Sequence, residues 1–427
     1  MRTESKKFSR LTISDWRQFS KIDLDLHPRM TIITGANGAG KTTLLKLLAQ
    51  HFGWHLPLLA TPQKKPGSSA FTYASGLIKK IFGNKPTQST PAAQQVGTIT
   101  YDNGSSASLF VPENGGASYH VEIRGQAALN GLSINSHRPI QNYQPIGAIP
   151  TNAIDAEQAY QAYFGELMQR YNNGYTQFSP TYRMKETLIS MAMFGAGNQY
   201  VEKNESLEKL FLNFKKILSE ILPPSIEFQD ISVRIPDVVL VTRSGEFMID
   251  AASGGLMSLI DLGWQIFLYS HNKEDFTVLL DEPENHLHPS MQRSLLGRLS
   301  TAFPRAQFIV ATHSPFMVSS VKDSIVHALR YERADRAIEA NELIASRVSS
   351  IKLDLDTRAA TANEILRDVL GVPVTLPEWA EEDLQRITSR INVASITPEV
   401  LNNLRQDLSE AGLSEYYPEA LKMVVDR

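Results

Sequence analysis

Cysteine is absent from all 427 residues. That excludes disulfides and thiolate metal centres and fits a reducing compartment. Net charge is nearly absent as well: 42 Lys and Arg against 45 Asp and Glu leave −3. No global field therefore draws the chain to nucleic acid, and any such contact has to be a local patch. A long apolar run is missing too. The most apolar stretch, Leu256 to Ser270, is interrupted by Asp261 and Gln265 and is shorter than the ~20 residues that cross a bilayer. The opening Met-Arg-Thr-Glu-Ser-Lys-Lys is too charged for a signal peptide. A cytoplasmic location without a membrane partner is expected. No internal repeat and no sustained heptads occur. What remains, 42% apolar and 20% charged residues, is a globular composition sized for one large body with elaborations.

Along the chain, Arg10 to Trp16 and Lys21 to Leu26 alternate as an antiparallel pair leading into an apolar strand, Met30 to Thr34, and a helix from Thr42 to about Gln50. From about Leu56 to Gln95 the sequence turns rich in Pro, Gly, Ser, Thr and Lys, as a surface insertion would. Val96 to Tyr101, Ala107 to Val111 and Ser118 to Arg124, separated by turn signals, predict a small antiparallel sheet. Ala153 to about Pro223 reads as a helical arm, with Leu207, Leu210, Phe211, Phe214, Ile217, Leu218 and Ile221 on one face. A hairpin over Val238 to Ile249 precedes a helix carrying Leu256, Leu259, Ile260, Trp264 and Phe267, with Gly263 on the same face. Two buried strands follow, Phe276 to Leu280 and Gln307 to Ala311, separated by a helix from about Pro289 to Ala302, as a largely parallel sheet requires. The last hundred residues are expected to be mostly helical, with helix starts at Thr361 and Thr397 closed by Gly371 and Gly412. The expected fold is therefore α/β, divided into residues 1–150, 151–235 (the arm), 236–325 and 326–427.

Gly35-Ala36-Asn37-Gly38-Ala39-Gly40-Lys41-Thr42 matches G-x-x-x-x-G-K-[ST] between a predicted strand and a predicted helix. Glycines let backbone N–H groups turn inward around phosphate, and the helix start that includes Thr43 adds a positive dipole end. Lys41 can reach the β- and γ-phosphates of ATP, and Thr42 can bind Mg2+. Leu279-Leu280-Asp281-Glu282-Pro283 closes an apolar strand with two carboxylates. Asp281 is the candidate metal ligand and Glu282 the candidate for polarising the attacking water, the bland reading being an acidic helix start. Ala311-Thr312-His313-Ser314-Pro315 ends the next strand, so His313 is expected beside Glu282, where a neutral imidazole could bond the γ-phosphate. Ser253, Gly254 and Gly255 precede a helix and offer an anion a hydroxyl, open N–H groups and a dipole, although alone they are an ordinary N-cap.

In that order the four segments resemble the Walker A, signature, Walker B and switch-histidine motifs of ABC-type ATPases. Asp281 to Pro289, Ala311 to Pro315 and the opening Leu11 to Phe19 are similar to the RecF, OLD-nuclease and SMC-related branch, and the resemblance spans most of residues 8 to 320. It implies an ABC-ATPase head with a largely parallel P-loop core sheet, an antiparallel β subdomain, a helical insertion and a helical C-terminal region. It also implies a head-to-tail dimer in which Ser253 of one subunit meets the γ-phosphate held by Lys41 of the other, with Ala252 and Leu256 departing from the usual signature. The chain further resembles ATPases of phage-defence systems such as Septu and PARIS, which implies a separate effector partner, a nuclease or toxin. The alternative is a RecF-like repair ATPase binding DNA across the dimer.

Other features are weaker. His137, Arg138, Gln141 and Gln144 are candidates for the Q-loop, an ordinary polar loop being the alternative. Asp354 and Asp356 have the spacing of a nuclease metal pair, but a short helical segment follows. Lys64, Lys65, Lys79, Lys80 and Lys85 could touch DNA phosphates, yet without interleaved aromatics a solvated loop is favoured. His286 and His288 suggest a metal pair, but in the resembled family they belong to the D-loop region.

Overall fold

A period of two puts every second side chain on one face of a strand. Phe8–Trp16 and Phe19–Asp25 accordingly pair antiparallel, with Leu11 opposite Leu24 and Ile13 opposite Ile22, all buried. The computed structural model describes residues 6–64, 71–76, 93–112, 114–136, 143–172, 174–332, 347–359, 361–370, 377–391 and 397–425. It falls into two compact units, Met1–Ile365 and Leu366–Arg427.

In the larger unit the described residues form an eleven-stranded sheet. Its order is Glu122–Arg124, Ser106–Pro112, Ala93–Tyr101, Phe8–Trp16, Phe19–Asp25, Arg347–Lys352, Ile325–Glu332, Met30–Gly35, Ala306–Thr312, Phe276–Asp281 and Gly131–Ile134. The first five strands pair antiparallel and the last five pair parallel. Met30–Gly35, Phe276–Asp281 and Ala306–Thr312 are buried at every position, as strands covered on both faces must be. Helix Lys41–Ala49 packs on the latter two through Leu44, Leu45, Leu47 and Leu48.

The antiparallel strands expected as a small sheet are continuous with the main one, because Ala93–Tyr101 hydrogen-bonds Phe8–Trp16. The described part of the C-terminal region is mostly helical, but two strands precede its helices. Ile325–Glu332 and Arg347–Lys352 are strands, the second bridging the two halves of the sheet. Its partner Phe19 lies more than three hundred residues upstream, which no local pattern reveals. Thr361 makes its capping box, but the α-turn Ala362–Glu364 passes into a π-helical turn, Ile365–Val369, and Gly371 lies outside the described residues.

The arm is three helices, Ala156–Tyr171, Pro180–Ala196 and Glu205–Ile221, started by Asp155, Ser179 and Asn204, whose side chains accept from backbone N–H groups of the first turn. The third buries Leu207, Leu210, Phe214, Leu218 and Ile221, and meets Gly254–Ser270 through Phe214, whose ring lies 4.7 Å from Trp264 and 5.2 Å from Phe267. Gly263 faces this third arm helix: a Cβ there would stand 2.3 Å from Ile221 Cδ1, so the isoleucine tip would have to shift to admit one. The smaller unit is a helical cluster, Glu378–Ser389, Pro398–Glu410 and Tyr417–Val425, closed around Leu384, Leu404, Leu408 and Ala420.

Candidate functional site

The buried strand Met30–Gly35 runs into a loop whose glycines are fixed by both conformation and space. Gly35, Gly38 and Gly40 have φ of 147°, 79° and 101°, a region that side-chain-bearing residues avoid. A Cβ at Gly35 would sit 2.6 Å from Leu329 O, and one at Gly40 would sit 2.4 Å from Phe19 Cζ. Asn37 and Gly38 are exposed, Ala36 is half-buried, and Ala39 is buried. Helix Lys41–Ala49 begins directly after Gly40. The Lys41 side chain is buried and folds back over the loop, its Nζ donating to Gly35 O at 2.8 Å and Ala36 O at 3.2 Å. Burial lowers its pKa, opposed by the charges of Glu282, Asp281 and Glu284. Thr42 is exposed and Thr43 half-buried. The turn before the second strand leans on this loop: Gln18 Nε2 donates to Gly38 O at 3.4 Å.

Across the sheet edge, Thr42 Oγ1 lies 2.9 Å from Asp281 Oδ2 and 3.1 Å from Oδ1. Asp281 is pushed up to about 6, chiefly by burial and also by neighbouring Glu282, against the hydrogen bond from Thr42. A buried carboxyl and a hydroxyl, both hard oxygens at the end of a phosphate-sized loop, fit Mg2+, which keeps further positions for water and phosphate. Glu282 turns sharply, at φ 46°, with its N–H donating to Ala311 O at 2.8 Å. Its Oε1 then faces His313 Nδ1 at 3.3 Å. The structure thus brings Lys41, Thr42, Asp281, Glu282 and His313 to one edge of the parallel sheet.

Sequence reasoning missed Glu284. It is 4% exposed, and its Oε1 accepts from Thr312 Oγ1 and, at 3.1 Å, from the His313 N–H, tying the two strand ends together. Asn135 was also missed. Strand Gly131–Ile134 pairs parallel with the Asp281 strand, Ile134 opposite Leu280, so the next residue arrives beside Asp281. Ser133 and Asn135 line one small pocket with Thr42, Lys46 and Asp281. Among the Q-loop candidates, His137, Arg138 and Gln141 lie outside the described residues. Gln144 is engaged elsewhere, donating to Gln177 O at 3.0 Å and accepting from Ser179 N at 2.7 Å.

Ser253 caps helix Gly254–Ser270, its Oγ accepting from Leu256 N at 3.4 Å, and both Ser253 and Gly254 are exposed. Gly255 abuts the turn after Glu284: a Cβ would lie 2.7 Å from His286 O. His288 starts the helix Pro289–Ala302, its Nδ1 accepting from Ser290 N at 3.3 Å. Among the described residues no group of three or more His, Cys, Asp and Glu is placed to hold a metal ion. Asp354 Oδ1 accepts from Thr357 N at 2.8 Å, as a helix-start residue does. Lys65, Lys79, Lys80 and Lys85 lie outside the described residues.

Comparison with known proteins bears on this edge directly. Residues 10–221, which carry the P-loop, match the family described as "AAA domain". Residues 265–319, which carry Asp281, Glu282 and His313, match the family described as "AAA domain, putative AbiEii toxin, Type IV TA system". Over these two stretches, which between them carry the P-loop, Asp281, Glu282 and His313, the chain is similar to AAA-domain families. It is 28% identical over 166 residues to Septu protein PtuA of Bacillus thuringiensis, covering 36% of the chain and 40% of the relative. To Septu protein PtuA of Bacillus mycoides (strain KBAB4) it is 23% identical over 304 residues, 70% of the chain and 36% of the relative. To "Retron Vc95 probable ATPase" of Vibrio cholerae serotype O1 biovar El Tor it is 29% identical over 149 residues, 31% of the chain and 29% of the relative. The aligned part of the chain therefore spans 40% or less of each relative's length. Among the described residues no helix is long and apolar enough to cross a membrane.

Proposed function

We propose that this chain binds ATP with Mg2+, hydrolyses it, and uses the bound nucleotide to pair two copies head to tail so as to control a separate effector in antiphage defence. The observation that carries the catalytic part is the convergence of Lys41, the Thr42–Asp281 pair, Glu282 and His313 on one sheet edge. Gly35 to Thr42 receive the triphosphate, Lys41 exchanging its loop carbonyls for phosphate oxygens. Thr42 and Asp281 hold Mg2+, which when bound neutralises phosphate charge. Glu282, the less occluded carboxylate, accepts the hydrogen bond that orients water for attack, and His313 beside it reaches toward the γ-phosphate. Asn135, at the same pocket, is the Q-loop residue in this reading.

Pairing is supported by the exposure of Ser253 and Gly254 at a helix start whose hydrogen bonds are internal, leaving it open to a phosphate held by a second copy. The defence role and the effector rest on the likeness to the Septu and retron proteins. Glu282→Gln is expected to bind ATP, turn it over about 100-fold more slowly and accumulate as a dimer, whereas Lys41→Ala loses ATP binding. Equal turnover by wild type and Glu282→Gln refutes the mechanism. Purification from the native host with and without ATP identifies the effector, and recovery of DNA instead would transfer the chain to repair.

A further inference from the structure

Lys185 has no role in the chemistry above, yet it is the most fully enclosed cation among the described residues, 0% exposed. It sits on the arm helix Pro180–Ala196. Its Nζ donates to Gln144 O at 2.7 Å and to Asp237 Oδ1 at 3.2 Å, and pairs with Asp250 Oδ2 at 2.8 Å. The Tyr143 ring centroid lies 5.0 Å away, and the Tyr143 hydroxyl donates to Asp237 Oδ2 at 3.1 Å. The same arm helix is tied a second time to this segment, because Gln144 Oε1 accepts from Ser179 N at its start.

Asp250 is the middle residue of the single turn Ile249–Ala251, which ends two residues before Ser253. That turn is stiff: Ile249 is 0% exposed and Ala252 N donates to Ile249 O at 3.2 Å. A buried ammonium surrounded by oxygens from three chain segments cannot let one go without stranding a charge, a far larger penalty than losing an apolar contact. Apolar side chains of similar volume would fill the same space at comparable stability. What the ion cluster adds is directional attachment.

We propose that Lys185 is a positioning residue that fixes the Ser253 segment to the arm, so that a shift of the arm relative to that segment alters the nucleotide site of the paired copy. The attachment itself is independent of the head-to-tail reading, and its effect on the paired site rests on that reading.

The test uses the full chain, with hydrogen exchange measured in the absence of nucleotide. Hydrogen exchange is followed at the amides of Ala252, Leu256 and Met257, which donate within this segment, and across Gly35 to Thr42. In Lys185→Met, and in Asp250→Asn, which keeps the shape if the first variant fails to fold, the three signature amides are expected to exchange about tenfold faster. The P-loop amides and the affinity for fluorescent ATP analogue stay unchanged, and turnover falls. Unchanged exchange at the three amides in a folded variant overturns the proposal. So does a uniform rise that includes the P-loop, because Lys185 would then be a general stabiliser. Faster local exchange combined with failure of Glu282→Gln to dimerise on ATP supports the attachment and refutes the head-to-tail reading instead.

Discussion

Gly254 and Gly255 are adjacent residues at the start of one helix, and alanine is expected to act on them in opposite directions. A Cβ at Gly254 meets no atom within 4 Å, whereas at Gly255 it would lie 2.7 Å from His286 O. Alanine gains up to about 1 kcal/mol over glycine in a helix, so Gly254→Ala is expected to be neutral or slightly stabilising. At Gly255 the gain is opposed by overpacking, typically about 1–3 kcal/mol. The obstructing atom is a backbone oxygen on a turn held at His286 φ 70°, so it cannot swing away like a side chain. The net expectation is a loss of about 1 kcal/mol, with the helix start displaced from the turn that follows Glu284. Trp264, fully buried on the same helix, reports the transition in urea by fluorescence. ATP turnover should also fall in Gly255→Ala. Equal unfolding midpoints in the two variants would show that the close approach does not constrain this turn.

Three further expectations follow from the same geometry. Mixing Ser253→Arg subunits with Lys41→Ala subunits should leave one composite site in the mixed dimer doubly damaged and the other intact, and a mixture retaining two working sites by ATP titration contradicts pairing in trans. Glu284→Gln should slow turnover about tenfold with little change in ATP affinity, because the carboxylate accepting from Thr312 Oγ1 and the His313 N–H orients His313 and does not touch nucleotide; a large loss of affinity with turnover unchanged argues against this. His51, half-buried against Phe8 and Tyr101, is lowered from 6.5 to about 4 by desolvation. Since the unfolded chain takes up the proton first, the contribution of His51 is fully present above pH 6.5 and is lost as pH falls to about 4, in all about 3 kcal/mol. His51→Gln should flatten the decline in stability between pH 7 and 4, and an unchanged decline refutes it.

The P-loop was legible because all its chemistry is contiguous: strand, glycines, Lys41 and Thr42 follow one another in sequence. The Asp281 and His313 strands were legible because full burial on both faces writes continuous apolar runs. Asn135 was not, since its place beside Asp281 depends on the register of Ile134 against Leu280, and a slip of one residue would turn it away. Glu284 resembled the other acidic residues of its loop, and only the fold shows its carboxylate buried under Thr312. Lys185 stood in a helix of mixed composition, its partners at 144, 237 and 250 too distant in sequence to suggest a cluster.

The strand Met30–Gly35 pairs with Ala306–Thr312 on one side and Ile325–Glu332 on the other. During synthesis it therefore leaves the ribosome roughly 300 residues before either neighbour exists, an interval of about 15–60 s at 5–20 residues per second. Throughout that time the nascent chain carries an apolar strand with both hydrogen-bonding edges open, the form most prone to wrong pairing. In the finished sheet two later strands, Arg347–Lys352 and Ile325–Glu332, also stand between it and the hairpin Phe8–Asp25, so slowing translation is expected to lengthen the interval in which this strand has no native partner.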